Sequence, residues 1–186
     1  MKVAVLAVQG AFIEHEKALQ ELGVECLELR QKKDLEEDFA GLILPGGEST
    51  TQGKLLRDLG MLEPLRERIL GGLPVLATCA GLILLARDLS NDSQRHFATM
   101  PVTVKRNAYG RQLGSFYTEE PFGTLGKVPM TFIRAPYVEA VGEGVEVLAQ
   151  VNQQIVGVRY QKQMGLSFHP ELNEDRRIHR MFLDMI

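Results

Sequence analysis

Cys79 stands in Ala77-Thr78-Cys79-Ala80-Gly81, between a short apolar run and a stretch with helical composition. A strand–turn–helix of this kind pushes the turn's side chain outward, like a nucleophile elbow with sulfur in place of the serine oxygen. The adjoining helix N-terminus adds positive potential, which favours a thiolate. A free cysteine is more often a buried structural residue, and Cys26, mid-strand with no such turn, is read that way. The second group is His169-Pro170-Glu171. In an extended segment residues i and i+2 point the same way, so imidazole and carboxylate would share a face. The carboxylate would hold the ring in one tautomer and stabilise the imidazolium. Pro170 would stiffen the spacing and end the strand. Alone, a surface His beside a surface Glu is the plainer reading; beside an elbow cysteine, a Cys79–His169–Glu171 triad for acyl transfer is the better one.

Further segments carry polar or conformationally special residues. In Pro45-Gly46-Gly47-Glu48-Ser49 two glycines let backbone approach a ligand and permit a peptide flip, and their N–H groups could stabilise an oxyanion. A simple tight turn is the alternative. No Gly-Lys-Ser/Thr follows, so this is not a phosphate loop. Arg106 with Asn107 to Gln112, and Ile133-Arg134-Ala135-Pro136, supply guanidinium groups able to grip a carboxylate through paired hydrogen bonds; surface ion pairing is the competing use. His15, His96 and His179 have no partner legible in the sequence, and no metal-ligand spacing or cofactor motif is present.

These groups need a scaffold that brings them together. Val3–Val8 is a continuous apolar run, as expected of a strand buried on both faces. Ala11–Leu22 has helical spacing and stops at Gly23. Val24–Leu29, Gly41–Leu44 and Pro74–Thr78 read as strands. Helices are expected from Ser49 or Thr50 to Leu59, over Met61–Leu70 and over Ala80–Asp88. This alternation implies α/β architecture: an open, mostly parallel central sheet with helices on both faces. Past residue 90 the expected strands are Val102–Lys105, Gly114–Glu119, Met130–Ile133, Val145–Gln150, Ile155–Gln161 and Gly165–Phe168, and Glu174–Ile186 closes as a helix. In an open parallel sheet ligands bind beyond the carboxyl ends of the strands. Gln9-Gly10, Pro45-Gly46-Gly47, Cys79 and His169-Pro170-Glu171 all fall at such ends, and this convergence weighs more than any one motif.

The composition narrows the classes. The 186 residues suit one domain, 1–186, with a full core. Apolar residues make up 45%, charged residues 24%, and the formal net charge is −3. No basic stripe is present to neutralise phosphates, which argues against nucleic acid and anionic membranes as partners. Two cysteines make no disulfide framework. No apolar stretch reaches membrane-spanning length, and the start does not read as a signal peptide. A reducing, cytoplasmic setting is expected.

With these motifs the chain resembles class I (triad) glutamine amidotransferases over essentially its whole length, with their flavodoxin-like fold. The Cys and His-Pro-Glu elements are common to many of them. Leu44 to Thr51, with its Gly-Gly-Glu-Ser-Thr core, and Arg106-Asn107-Ala108-Tyr109-Gly110-Arg111 resemble the branch of glutaminase subunits of pyridoxal 5′-phosphate synthases. Ala77 departs from that pattern, where glycine is frequent. The resemblance implies Cys79 as nucleophile, His169 as acid–base and Glu171 as orienter. It implies oxyanion N–H groups from Gly47 and Ala80. L-glutamine would be contacted by Gly46, Gly47, Glu48, Ser49, Arg106, Ile133 and Arg134. No cofactor is implied. The implied partner is a synthase subunit, a (β/α)8 barrel assembled as a dodecamer, which receives ammonia through a channel and builds pyridoxal phosphate from ribose 5-phosphate and glyceraldehyde 3-phosphate. The Gly46–Gly47 peptide is expected to point away from the oxyanion position in the free chain and to flip on partner binding, with Gln9 as sensor. A triad glutaminase serving another synthase, a free-standing γ-glutamyl hydrolase, a non-catalytic module and a redox protein on the same topology are the alternatives.

Overall fold

The computed structural model describes residues 1–106 and 115–186. Its first half alternates strand and helix: β1 (Lys2–Leu6), α1 (Phe12–Glu21), β2 (Glu25–Leu29), β3 (Gly41–Leu44), α2 (Ser49–Asp58), α3 (Leu62–Leu70), β4 (Val75–Thr78) and α4 (Ala80–Leu85). The second half is strand-rich: β5 (Ala86–Leu89), β6 (Met100–Lys105), β7 (Ser115–Pro121), β8 (Lys127–Ile133), β9 (Tyr137–Val141), β10 (Val145–Val151), β11 (Gln154–Tyr160), β12 (Gln163–Leu166) and finally α5 (Arg177–Leu183).

Among the described residues the central sheet runs β2-β1-β3-β4-β12-β11-β9-β6-β5, with β10 paired to β11, while β7 and β8 form a separate hairpin. The ladders linking β2, β1, β3, β4 and β12 are all parallel, and β5 is parallel to β6. The remaining ladders are antiparallel. The parallel half is buried on both faces, as its continuous apolar runs require. Ala4 and Leu6, Leu42 and Leu44, and Val75 and Ala77 pack with Leu56 of α2, Leu65 and Ile69 of α3 and Leu82 of α4. Val3, Val5, Ile43 and Leu76 turn the other way, onto Leu19 of α1 and Ile178 and Phe182 of α5. The period-2 alternation thus fills two cores and fixes the register of each strand.

Three local expectations are corrected. The helix expected over Ala80–Asp88 ends at Leu85, and Ala86, with φ −59° and ψ 132°, turns the chain into β5. Strand β9 and a 3-10 turn at Lys32–Glu36 were not expected. His169-Pro170-Glu171 is not extended: β12 stops at Leu166, His169 precedes a 3-10 turn, and Pro170 opens that turn. Proline suits the first position of a helical turn because its missing N–H would have no partner there. Gly114 and the stretch Asn107 to Gln112 lie outside the described residues.

Candidate active site

The four neighbouring parallel strands β1, β3, β4 and β12 end on one edge of the sheet, and each delivers one part of a single pocket. At the end of β4 the chain turns sharply at Cys79, whose φ is 52° and ψ −103°. A side-chain-bearing residue is strained there. It is held because Cys79 N–H donates to Leu166 O at 2.8 Å and α4 starts at the next residue. Helix α4 also presses against the end of β3: a Cβ on Gly81 would lie 2.2 Å from Leu44 O. The elbow read from the sequence is therefore present.

From β12 the chain reaches His169, whose N–H donates to Thr131 O of β8 at 2.9 Å. The 3-10 turn folds Glu171 back so that its Oε1 lies 2.7 Å from His169 Nδ1. The expected imidazole–carboxylate pair thus forms through a turn, not through strand alternation. Both side chains are buried. Burial works against charge on His169, but hydrogen bonds to Cys79 and Glu171, together with their negative charge, outweigh it and lift the His169 pKa to about 10. Burial also opposes charge on Glu171, yet its histidine neighbours hold it below the ordinary glutamate value. The raised pKa favours the protonated ring.

The glycine loop after β3 closes one wall. Gly46 must lack a side chain, since a Cβ there would sit 2.3 Å from His169 Cε1. Gly46 O accepts from Ala11 N–H at 2.9 Å. A trans peptide points its N–H opposite to its carbonyl, so Gly47 N–H is turned away from Ala11. Gln9 Oε1 accepts from Glu48 N–H at 2.8 Å, and the buried Gln52 amide donates to Gln9 O at 3.1 Å and to Pro45 O at 3.2 Å. These bonds tie the ends of β1 and β3 together. Ala80 N–H belongs to the first turn of α4, where amides have no intrahelical acceptor.

The resulting cavity of about 440 Å³ has the size of a small-molecule site. Cys79, Ala80 and His169 line it, as do Gly46, Gly47, Glu48 and Ser49. Arg106, Ile133 and Arg134 complete the set expected from the sequence, and Ala11, Ile83 and Pro136 are additions. Glu171 stands behind His169 and does not line the cavity. Glu48 serves first as N-cap of α2, accepting from Thr50 and Thr51 N–H and from Thr51 Oγ1. Arg106 spans Glu48, at 3.4 Å, and Asp92. Arg134 is exposed, has φ 46°, and its guanidinium has no ion-pair partner among the described residues, which leaves it available to a carboxylate.

A model of the SNO glutamine amidotransferase family matches residues 5–186. The chain belongs to that family. Among relatives of this SNO family member, a pyridoxal 5′-phosphate synthase subunit PdxT of Desulfitobacterium hafniense (strain Y51) is 79% identical over 186 residues, covering 100% of this chain and 94% of the relative. A PdxT of Streptococcus pneumoniae (strain ATCC 700669 / Spain 23F-1) is 58% identical over 188 residues, covering 100% and 97%. A crystal structure of a glutamine amidotransferase superposes with a TM-score of 0.93 at 46% identity, covering 98% of this chain and 97% of that one. The central sheet with its flanking helices is thus the class I glutamine amidotransferase fold.

Other polar residues of this SNO protein lay beyond sequence reasoning. Gln52 gave no signal because its partners are backbone carbonyls. His15 and His179, left without partners above, meet each other in the core, and Arg57 Nη1 donates to His96 Nδ1 at 3.1 Å. Cys26 is half-buried, and burial pushes its thiol up to about 11, which suits an inert residue. No helix among the described residues is long and apolar enough to cross a membrane.

Two predictions arise here. Gly46→Ala drives a methyl into the His169 ring and is expected to lower kcat/KM about 100-fold by displacing it, with the melting temperature nearly unchanged; a fully active variant would contradict the close packing. The second concerns pH. Burial and neighbouring positive groups push His96 to about 4 and His179 to about 3. Unfolded histidine takes its proton near 6.5, so below that pH the unfolded chain binds more protons and stability falls. His169, raised to about 10, acts oppositely: its contribution is complete below 6.5 and is lost as pH rises toward 10. The urea midpoint should therefore peak near neutrality and decline on both sides. A midpoint constant from pH 5 to 9 would contradict these assignments.

Proposed function

We propose that the chain hydrolyses L-glutamine to L-glutamate and ammonia through Cys79, His169 and Glu171, as the glutaminase subunit of a pyridoxal 5′-phosphate synthase. The observation that carries this reading is one cluster: Cys79 and His169 line the same cavity, and Glu171 Oε1 lies 2.7 Å from His169 Nδ1 behind it. The family and the PdxT relatives support the substrate and the biosynthetic role.

Cys79 sulfur attacks the side-chain amide carbon of glutamine. Charge moves to the amide oxygen, where Gly47 and Ala80 N–H groups receive it. Each such donor is worth roughly 10²–10³ in rate. The His169 imidazolium gives its proton to the departing nitrogen, so ammonia leaves and a γ-glutamyl thioester remains. The neutral ring then takes a proton from water, whose oxygen attacks the thioester and frees glutamate. Arg134 would grip the α-carboxylate through two parallel hydrogen bonds, while Glu48 and Arg106 frame the amino-acid end of the cavity.

The partner in this reading is a (β/α)8 synthase subunit assembled as a dodecamer, met in the cytoplasm, where Cys79 stays reduced. The Gly46–Gly47 peptide is the control point. Flipping it breaks the Ala11–Gly46 bond, so the partner must favour one orientation through contacts of its own. Ammonia release by the whole chain, alone and with a synthase subunit, tests the proposal, with Cys79→Ala as blank. Release that rises strongly with the partner is expected. Equal release in both would keep the chemistry and reject this partner.

A further inference from the structure

Glu171 has a second carboxylate oxygen, and the triad does not use it. Oε2 is buried and makes no hydrogen bond of good geometry among the described residues. His15 of α1 faces it, with Nε2 3.4 Å from Oε2 and 3.2 Å from Thr78 Oγ1. Its other nitrogen, Nδ1, lies 3.0 Å from Nε2 of His179 on α5. Both histidines are fully buried. Two helices distant in sequence thus bring an imidazole pair to the back of the 3-10 turn that carries Glu171.

The tautomers follow from the partners. A carboxylate oxygen facing His15 Nε2 places the proton there. Nδ1 then accepts, so His179 donates from Nε2. The remaining nitrogen, His179 Nδ1, is a bare lone pair, in keeping with its lack of a partner among the described residues. His15 is surrounded by Glu171 and His169 of the triad, His179, Glu14 of its own helix and Arg176. Burial holds its pKa below the ordinary histidine value against the pull of Glu171. By geometry the ring faces Glu171 with Nε2, 3.4 Å from Oε2.

We propose that His15, held in place by His179, is a positioning residue for this glutaminase, its Nε2–H locking the rotation of the Glu171 carboxylate toward His169. The inference rests on the triad reading above. A buried carboxylate oxygen deprived of the imidazole that faces it is left less well satisfied, which is costly. Glu171 would relieve that cost by rotating away from His169 or by taking a proton. Either change weakens its grip on the imidazolium.

The test uses the chain with its synthase subunit and measures kcat and KM for glutamine from pH 5 to 9. Three variants are compared: His15→Leu, His15→Asn and His15→Gln. Glutamine places its amide N–H near the position of Nε2; asparagine places it near Nδ1 and reaches only His179. Leu and Asn are expected to move the acid limb of kcat upward by about one pH unit. They should also cut kcat at pH 6 by about tenfold, with KM changed less than about twofold. Gln should restore both the limb and most of kcat. A wild-type acid limb in Leu and Asn overturns the proposal, as does equal impairment of Asn and Gln. Should Leu fail to fold, the Asn–Gln comparison decides alone. If wild type released no ammonia, or Cys79→Ala did, the triad reading would fail first and this inference with it.

Discussion

Cys79→Ala is expected to lower ammonia release from glutamine by at least about 10⁴-fold, because no other described residue lining the cavity carries a thiol. The loss should come without unfolding. The Cys79 side chain makes no hydrogen bond that the fold needs; what fixes the turn is its backbone, through the bond from Cys79 N–H to Leu166 O. Alanine inherits the same strained angles, φ 52° and ψ −103°. Glycine does not feel that strain, since it has no Cβ to clash there. Cys79→Gly should therefore be as inactive as Cys79→Ala yet more stable than it by about 1 kcal/mol, the relief of strain exceeding the extra entropy of the unfolded chain. Ammonia assays and urea unfolding of both variants read the two effects separately. Ammonia release near the wild-type rate in either variant would remove Cys79 from the chemistry. A glycine variant less stable than alanine would show that the elbow is not strained.

Much of this elbow was legible because its signals are local. A buried strand reads as an apolar run, a tight turn as small residues, and both sit next to the cysteine. The same holds for β1, β3 and β4, each buried on both faces and so apolar throughout. β5 was not legible: Ala86-Arg87-Asp88-Leu89 follows Leu82-Ile83-Leu84-Leu85 without a proline or glycine between. Only pairing with β6 gives it extended geometry. β9 hides for a similar reason, since most of its residues are exposed and show no clean alternation. His-Pro-Glu is the instructive case. The contact between His169 and Glu171 was expected from i, i+2 alternation, but a 3-10 turn makes it. His15 and His179 lie at the opposite extreme. Each sits on an apolar helix face where a histidine is unremarkable, and their partnership depends on α1 and α5 packing side by side on the sheet.

Glu171→Gln is expected to lower kcat by about 10²–10⁴-fold while leaving KM for glutamine within a small factor, since Glu171 touches His169 and not the cavity. The substitution keeps shape and removes charge. Without that charge the His169 imidazolium loses one of the two groups that raise its pKa to about 10, so its pKa must fall. The amide can settle in two ways, and neither restores the site. If its oxygen keeps facing His169 Nδ1–H, its NH2 faces His15 Nε2–H, donor against donor. Relief then requires His15 to move its proton to Nδ1 and His179 to move its own to Nδ1, a buried atom with no acceptor among the described residues. If the amide turns round instead, its NH2 faces His169 Nδ1, and that ring must carry its proton on Nε2 alone. It can still reach Cys79, but as a neutral ring that would have to become an imidazolate to protonate the leaving ammonia, a far weaker acid than the imidazolium. Titration of His169 by nuclear magnetic resonance, alongside kcat, separates this account from simple unfolding. A folded Glu171→Gln protein with wild-type kcat would remove Glu171 from the triad. One with an unchanged His169 titration would mean that sulfur, not carboxylate, holds the imidazolium.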